Sequence, residues 1–186
     1  LTRTGQARTP GARHGSSRLA SANHPMRSSA GIVMKPADRW ECTIRPMSKT
    51  SPAQAWMALK QGNERFVAGR PEHPSQSIEH RASLAVAQRP TVVLFGCADS
   101  RVAAEIIFDQ GLGDMFVVRT AGQVIDSAVL GSIEYAVTVL GVPLIAVLGH
   151  DSCGAVQATL DALDKGQVPG GFVRDVVERV TPSIML

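Results

Sequence analysis

Two short polar segments, each placed directly after an apolar run, constrain the fold of this chain most strongly. Residues 95–101 (FGCADSR) follow the run 91–95, and residues 149–154 (GHDSCG) follow the run 143–148. Apolar runs of this length, bounded by turn residues, are typical of buried strands. Each polar segment is therefore expected where a strand ends. Ligands collect at the carboxyl ends of the strands in a parallel sheet, so the two segments can converge on one site.

The two segments together carry a set of side chains that suits zinc. Cys97, His150 and Cys153 offer two sulfurs and one nitrogen, and three protein ligands leave the fourth position open, as in catalytic zinc sites. Asp99 and Arg101 are expected beside the metal as a proton acceptor and a fixed cation. Each residue also has an ordinary interpretation: a buried thiol, a hydrogen-bonding histidine, a helix cap or a surface ion pair. Their combination at two strand ends favours the metal site.

Asp151 and Ser152, between two of these ligands, are expected to orient them and to cap the following helix.

The remaining pattern predicts an α/β fold, a mainly parallel sheet with helices on both faces, because continuous apolar strands alternate with helical segments. Ser51 and Pro52 predict the start of the first helix, which ends near Gly69. The other predicted segments are strands at 91–95, 115–119 and 144–148, and helices at 78–87, 102–108, 126–140, 155–163 and 172–180, the last ending before Pro182. The predicted apolar faces are Trp56, Leu59, Phe66 and Val67 in the first helix, and Val129, Ile133, Ala136, Val137 and Leu140 in the helix after 126.

The amino-terminal segment differs in kind from the rest of the chain. Six of the 19 Lys and Arg residues precede Asp38, the first acidic residue, so the remainder carries more acidic than basic groups. Residues 1–47 are therefore expected to be a disordered basic extension, and residues 48–186 a single catalytic domain. The composition of the extension also fits an organelle transit peptide, or a segment that precedes a natural start at Met47.

Composition also excludes several classes of function. The basic charge lies in the extension, so it does not indicate nucleic-acid binding by the folded part. The sequence contains no apolar run long enough to predict secretion or a membrane span, so we expect a cytoplasmic protein. Three cysteines do not form a disulfide framework: Cys42 is expected to be incidental, and Cys97 and Cys153 to bind metal rather than to pair. The sheet is small, and we expect a chain truncated at its carboxyl end.

The motif Cys97-x-Asp99-Ser100-Arg101, followed by His150-x-x-Cys153, resembles the zinc motifs of the β-class carbonic anhydrases. The segments 116–122 and 131–136 agree, and the likeness extends from about Pro52 to the end, with most similarity to actinobacterial members. The resemblance implies one Zn2+ per chain and reversible hydration of CO2 to bicarbonate and a proton. It implies that a zinc-bound hydroxide attacks CO2, that Asp99 and Arg101 orient it, and that Asp99 is a possible fourth ligand in a closed state.

The resemblance also suggests looser assignments. By position, Gln88 would hydrogen-bond substrate, and Phe116 and Ala121 would line an apolar cleft. The residues alone make Gln88 a loop residue and Phe116 a core residue. The family implies a homodimer or homotetramer, in which Gln88 serves the neighbour's metal. The Trp/Arg/Tyr set of the family's non-catalytic bicarbonate site was not found.

Two other functions stay open at this point. One is hydrolysis of CS2 or COS on the same scaffold, and the other is a non-catalytic zinc protein.

Overall fold

Three parallel strands form the centre of the computed structural model, which describes residues 50–185. They are β1 (Val92–Cys97), β2 (Met115–Thr120) and β3 (Leu144–Leu148), and their order in the sheet is β2-β1-β3. Val92 of β1 pairs with Met115 on one side and Leu144 on the other, which sets the register of the whole sheet. The predicted α/β class with a parallel sheet is confirmed.

Three of the six helices within residues 50–185 begin at residues whose side chains bond to free backbone amides, and two of these capped starts were predicted. Ser51 accepts a hydrogen bond from the amide of Gln54, whose side chain accepts one from the amide of Ser51 in return. Asp126 accepts from the amide of Val129 in the same way. Both predicted starts are confirmed. The helices are α1 (Pro52–Val67), α2 (Ile78–Ser83), α3 (Ala104–Ile107), α4 (Ser127–Thr138), α5 (Gly154–Lys165) and α6 (Val173–Ile184), with a short 3-10 turn at Ala121–Gln123.

Two apolar layers hold the helices against opposite faces of the sheet. On one face, Ala55 and Leu59 of α1 pack against Val92, together with the partly buried Phe108, Met115, Leu144 and Ala146. On the other face, Ala136 of α4 packs with Val93 and Val142, together with the partly buried Phe116, Ile133 and Leu140. Every residue of the central strand β1 is buried. This rigid strand carries the first polar segment at its end.

Several apolar residues lie outside these layers, and the predicted face of α1 is wrong. Of its four residues only Leu59 is buried, while Trp56, Phe66 and Val67 are exposed. The buried face of α1 consists of Ala55, Leu59 and Gly62 instead, because small residues let the helix backbone approach α3 closely. In α4, Val137 is exposed as well, and the outer strand β3 exposes Ile145 and Val147.

The sequence predicts that the last helix ends before Pro182, but the structure shows that it continues past this residue. It continues to Ile184, with Pro182 inside its final turns. Pro182 removes one intrahelical hydrogen bond, and only two helical residues follow it. Its neighbour Thr181 donates a side-chain hydrogen bond to the carbonyl oxygen of Val177 (2.8 Å), which adds a bond in the same turn.

Gly62 and Gly131 offer a matched test of helix packing. A methyl group at Gly62 would overlap the carbonyl oxygen of Phe108, whereas one at Gly131 meets nothing within 4 Å. Alanine favours a helix over glycine by about 1 kcal/mol, but overpacking costs about 1–3 kcal/mol or more. We expect Gly62→Ala to lower the free energy of unfolding by about 1–3 kcal/mol, and Gly131→Ala to raise it by about 0.5–1 kcal/mol, in urea titrations. Equal effects of the two changes would contradict the packing of α1 on α3.

Asp109 anchors the irregular connection between α1 and α2. Its buried carboxylate accepts hydrogen bonds from Arg65 Nε (2.6 Å) and from the amides of Glu72 and His73 (both 2.9 Å). The bond from the Glu72 amide and the others outweigh burial, and they lower the pKa of Asp109 to about 2.

Asp109→Asn is expected to destabilise the chain at neutral pH. Since the folded pKa lies below the unfolded value, the stabilisation from the ionised carboxylate is complete above about pH 4 and is lost as pH falls toward 2. The difference in unfolding free energy between wild type and variant should shrink over that interval in urea titrations followed by circular dichroism. The exposed Asp164 of α5 provides the control, and Asp164→Asn should show no comparable difference at neutral pH.

Residues 1–47, including Cys42, lie outside the described residues, so the expected extension and domain boundary stay predictions. None of the helices between residues 50 and 185 combines the length and apolarity needed to cross a membrane.

Candidate metal centre

The sheet brings the two polar segments together at one edge. Cys97 is the last residue of β1, His150 follows β3 by two residues, and Cys153 immediately precedes α5. Because β1 and β3 are adjacent and parallel, with Gly96 paired to Leu148, their carboxyl ends lie side by side. The convergence expected from the sequence is confirmed.

The three candidate ligands form one compact group. Their ligand atoms all lie within 4.8 Å of one another, and the two sulfurs are 3.9 Å apart. Cys97 is buried, and His150 and Cys153 are half-buried. Both thiols are free rather than joined in a disulfide. Two sulfurs and one imidazole nitrogen at this spacing are a donor set that fits zinc.

His150 is oriented for metal binding by the main chain. Its Nδ1 lies 2.8 Å from the carbonyl oxygen of Asp151, which can only accept, so Nδ1 carries the proton and Nε2 offers a lone pair. Nε2 is buried, and no hydrogen-bond partner for it exists within residues 50–185. A buried polar atom without a partner is costly, and a bound metal ion would satisfy it.

Electrostatics favour the metal-binding form of Cys97. Burial opposes ionisation of its thiol, but the interaction with His150 and the amides of Asp99 and Gly122 outweighs it, and the pKa falls to about 7. The contact with Cys97 raises the pKa of His150 in return, against the effect of burial. A thiol pKa near 7 gives a substantial thiolate population at neutral pH, and the thiolate is the species that binds metal.

Asp99 and Arg101 form a two-pronged ion pair beside this group. Asp99 Oδ1 accepts from the amide and Nε of Arg101 (both 2.9 Å), and Oδ2 accepts from Nη2 (2.7 Å). These bonds from the Arg101 side chain and amide hold the pKa of Asp99 well below its usual range, so the carboxylate stays ionised. Asp99 does not belong to the compact group of ligand atoms, and its role as a fourth ligand stays a prediction.

Arg101 also joins the two segments. Its Nη2 donates to the carbonyl oxygen of Ser152 at 2.9 Å. Ser152 has φ of 51°, a conformation that side-chain-bearing residues seldom adopt. Orientation of the site therefore comes from the main-chain carbonyls of Asp151 and Ser152. The expectation that their side chains cap α5 is wrong, because Cys153 occupies the cap position without a side-chain bond.

The three expected substrate residues lie in three different parts of the chain's fold. Gln88 is exposed in the connection between α2 and β1. Phe116 pairs with Val93 and packs on Tyr135, with ring centroids 6.3 Å apart, as a core residue would. Ala121 is exposed and directly follows β2, at the same edge of the sheet as Cys97. Their substrate roles stay predictions.

Arg119, near the end of β2, contacts the site although no motif in the sequence assigned it a role. Its Nε donates to the carbonyl oxygen of Cys97 (2.7 Å) and its Nη2 to that of Asp99 (2.6 Å). The sequence signals are a charged residue near the end of an otherwise apolar strand and its place in segment 116–122, which belongs to the family resemblance.

Comparison with known proteins identifies the family. The model of the family described as carbonic anhydrase matches residues 92–185, which contain all three candidate ligands and the ion pair beside them. The chain belongs to the carbonic anhydrase family. Carbonic anhydrase 2 of Mycobacterium tuberculosis is 78% identical over 140 residues, which cover 75% of this chain and 68% of the relative. A carbonic anhydrase of Mycolicibacterium smegmatis is 79% identical over the same length. The expected similarity to actinobacterial members is confirmed.

Solved structures agree with the observed carbonic anhydrase fold. The β-carbonic anhydrase CcaA is 28% identical, with a TM-score of 0.54, and the match covers 70% of this chain and 60% of that one. A parallel sheet flanked by helices is thus shared with a β-class carbonic anhydrase, and the fold expected from the resemblance is confirmed.

Proposed function

We propose that this chain catalyses the reversible hydration of CO2 to bicarbonate and a proton at one zinc ion held by Cys97, His150 and Cys153. The observation that carries the proposal is the buried, unpartnered Nε2 of His150 beside two free thiols. Relatives named carbonic anhydrase support the reaction. Zinc, when bound in such a site, supplies a water of lowered pKa as the nucleophile.

The chain's own residues would orient that water and keep an acceptor ready for its proton. Asp99 stays ionised because Arg101 bonds to both of its oxygens, so it can accept a hydrogen bond and direct a lone pair toward CO2. Arg101 holds this carboxylate against the second segment through Ser152. Asp99 would reach the metal itself only after releasing Arg101.

We extend the proposal to substrate contacts and assembly. Ala121 directly follows β2, at the same edge of the sheet as Cys97, which supports a role in lining an apolar cleft. We also propose that Phe116 lines this cleft and that Gln88 hydrogen-bonds substrate. The apolar side chains exposed on α1 and β3 suit burial between copies of this chain, so we include a homodimer or homotetramer. Metal binding by Cys97 and Cys153 requires that they stay reduced, so we include a cytoplasmic location in the proposal.

The test is CO2 hydration by the zinc-loaded chain, followed by stopped flow with a pH indicator near pH 8.5. Turnover above the uncatalysed rate, with about one zinc per chain by elemental analysis, is the expected result. If the chain consumes CS2 or COS but does not hydrate CO2, then CS2 or COS is the substrate and the proposed reaction is wrong. Bound zinc without turnover on any of these substrates would leave a non-catalytic metal site.

A further inference from the structure

We propose that Arg119 is a positioning residue that fixes the main chain between Cys97 and Asp99. It would thereby place one candidate metal ligand and the carboxylate that orients the reacting water. This inference rests on the proposed function, which gives those two residues their roles.

The contacts of Arg119 begin where β1 leaves the sheet. Cys97 is the last residue of the strand, and the amide of Ala98 still donates to the carbonyl oxygen of Thr120 at 2.9 Å. Beyond it the chain bends away, and the guanidinium of Arg119 donates to the carbonyl oxygens of Cys97 (2.7 Å) and Asp99 (2.6 Å). The side chain continues the bonding of β1 to β2 by two residues.

The contacts of Arg119 are hydrogen bonds to main-chain carbonyl oxygens rather than an ion pair. Arg119 is half-buried, and within residues 50–185 no carboxylate lies at ion-pair distance from it. Its guanidinium donates to two carbonyl oxygens instead. A guanidinium has a rigid fork of donors that can hold two acceptors at fixed spacing, which a flexible lysine ammonium does not reproduce.

Arg101 and Arg119 divide the support of Asp99 between them. Arg101 bonds to the carboxylate, and Arg119 bonds to the carbonyl of the same residue. The two arginines thus hold the Asp99 carboxylate and the backbone that connects it to Cys97.

Loss of Arg119 would remove two of the hydrogen bonds that hold this backbone, while every candidate ligand stays in the chain. It would leave those from the amide of Ala98 to the carbonyl oxygen of Thr120 (2.9 Å) and from the amide of Val102 to that of Asp99 (3.1 Å). Residues that orient metal ligands typically change metal affinity or activity by about 10–100-fold when replaced.

The test compares Arg119→Lys and Arg119→Met with a control, Arg65→Lys, in the full zinc-loaded chain. Arg65 is also half-buried and also donates from its guanidinium to another element, the buried Asp109, away from the candidate metal group. Three measurements are made on each protein: zinc affinity by chelator competition, the visible absorption of bound Co2+, and amide hydrogen exchange over residues 98–102. Circular dichroism establishes that each variant is folded.

The expected result is a loss of zinc affinity of about 10–100-fold in both Arg119 variants, with an altered Co2+ spectrum and at least about tenfold faster exchange over residues 98–102. Arg65→Lys should change none of these, although it lowers stability. Affinity and exchange within about twofold of wild type in folded Arg119→Lys would overturn the inference. If only Arg119→Met fails to fold, Arg119→Lys decides. If both Arg119 variants unfold, Arg119 is required for folding itself, and the inference that it positions the site is likewise overturned.

CO2 hydration by the wild-type chain separates this inference from the proposed function. A wild type that binds zinc but does not hydrate CO2 refutes the function, while zinc affinity and exchange still decide the role of Arg119.

Discussion

Cys97→Ser is expected to lower CO2 hydration at least about 1,000-fold, which corresponds to about 4 kcal/mol of transition-state stabilisation. Cys97 supplies a buried sulfur whose pKa of about 7 favours the thiolate, and it is one of only three candidate ligands in the group. A serine hydroxyl has a much higher pKa and is a poor zinc ligand. The variant should also bind well below one zinc per chain.

Stopped-flow hydration and elemental analysis of the same samples provide the measurement. Cys42→Ser is the matched control, because it removes a thiol that the sequence places outside the site. It should retain both zinc and turnover. A Cys97→Ser protein with full zinc and undiminished hydration would refute the proposed metal site.

Asp99→Asn is expected to retain zinc but lose hydration by about 100–10,000-fold, the range that proton-transfer residues typically contribute. Asparagine has nearly the same shape but no charge, and its amide is a weaker hydrogen-bond acceptor for the reacting water. It also leaves Arg101 without the carboxylate that now occupies three of its hydrogen bonds, so the connection to Ser152 should loosen.

Asp126→Asn is the control for this exchange of a carboxylate for an amide. Asp126 caps α4, and asparagine caps a helix about as well as aspartate, so stability and turnover should stay close to wild type. If Asp99→Asn loses its zinc, Asp99 is itself a metal ligand. If it turns over at the wild-type rate, the carboxylate has no part in the reaction.

The site could be predicted from the sequence because strand ends could. The apolar runs before Cys97 and His150 are continuous, as buried parallel strands require, and two such runs place the residues after them at one edge of the sheet. The strand at 144–148 was predicted with its observed bounds. The three candidate ligands could be chosen from this placement and from the chemistry of their side chains alone.

Other features depend on tertiary packing that periodicity does not encode. The spacing of Trp56 and Phe66 suits a buried helix face, but the helix approaches its neighbour through Ala55 and Gly62 instead. Pro182 indicated a helix end, yet the helix continues to Ile184, two residues beyond it. Arg119 donates to carbonyl oxygens, which every residue has, so no pattern of side chains predicts these contacts.

The pairing of β1 with β3 links the candidate metal group to the folding of the sheet. Cys97 and His150 are 53 positions apart in the chain, and they meet only when β3 has docked on β1 with Gly96 opposite Leu148. A slip of one residue would shift His150 by about 3.3 Å and turn the side chains of β3 to the opposite face. An ion held by both segments would therefore bind only chains in the correct register, and its binding energy would stabilise that alignment against every other.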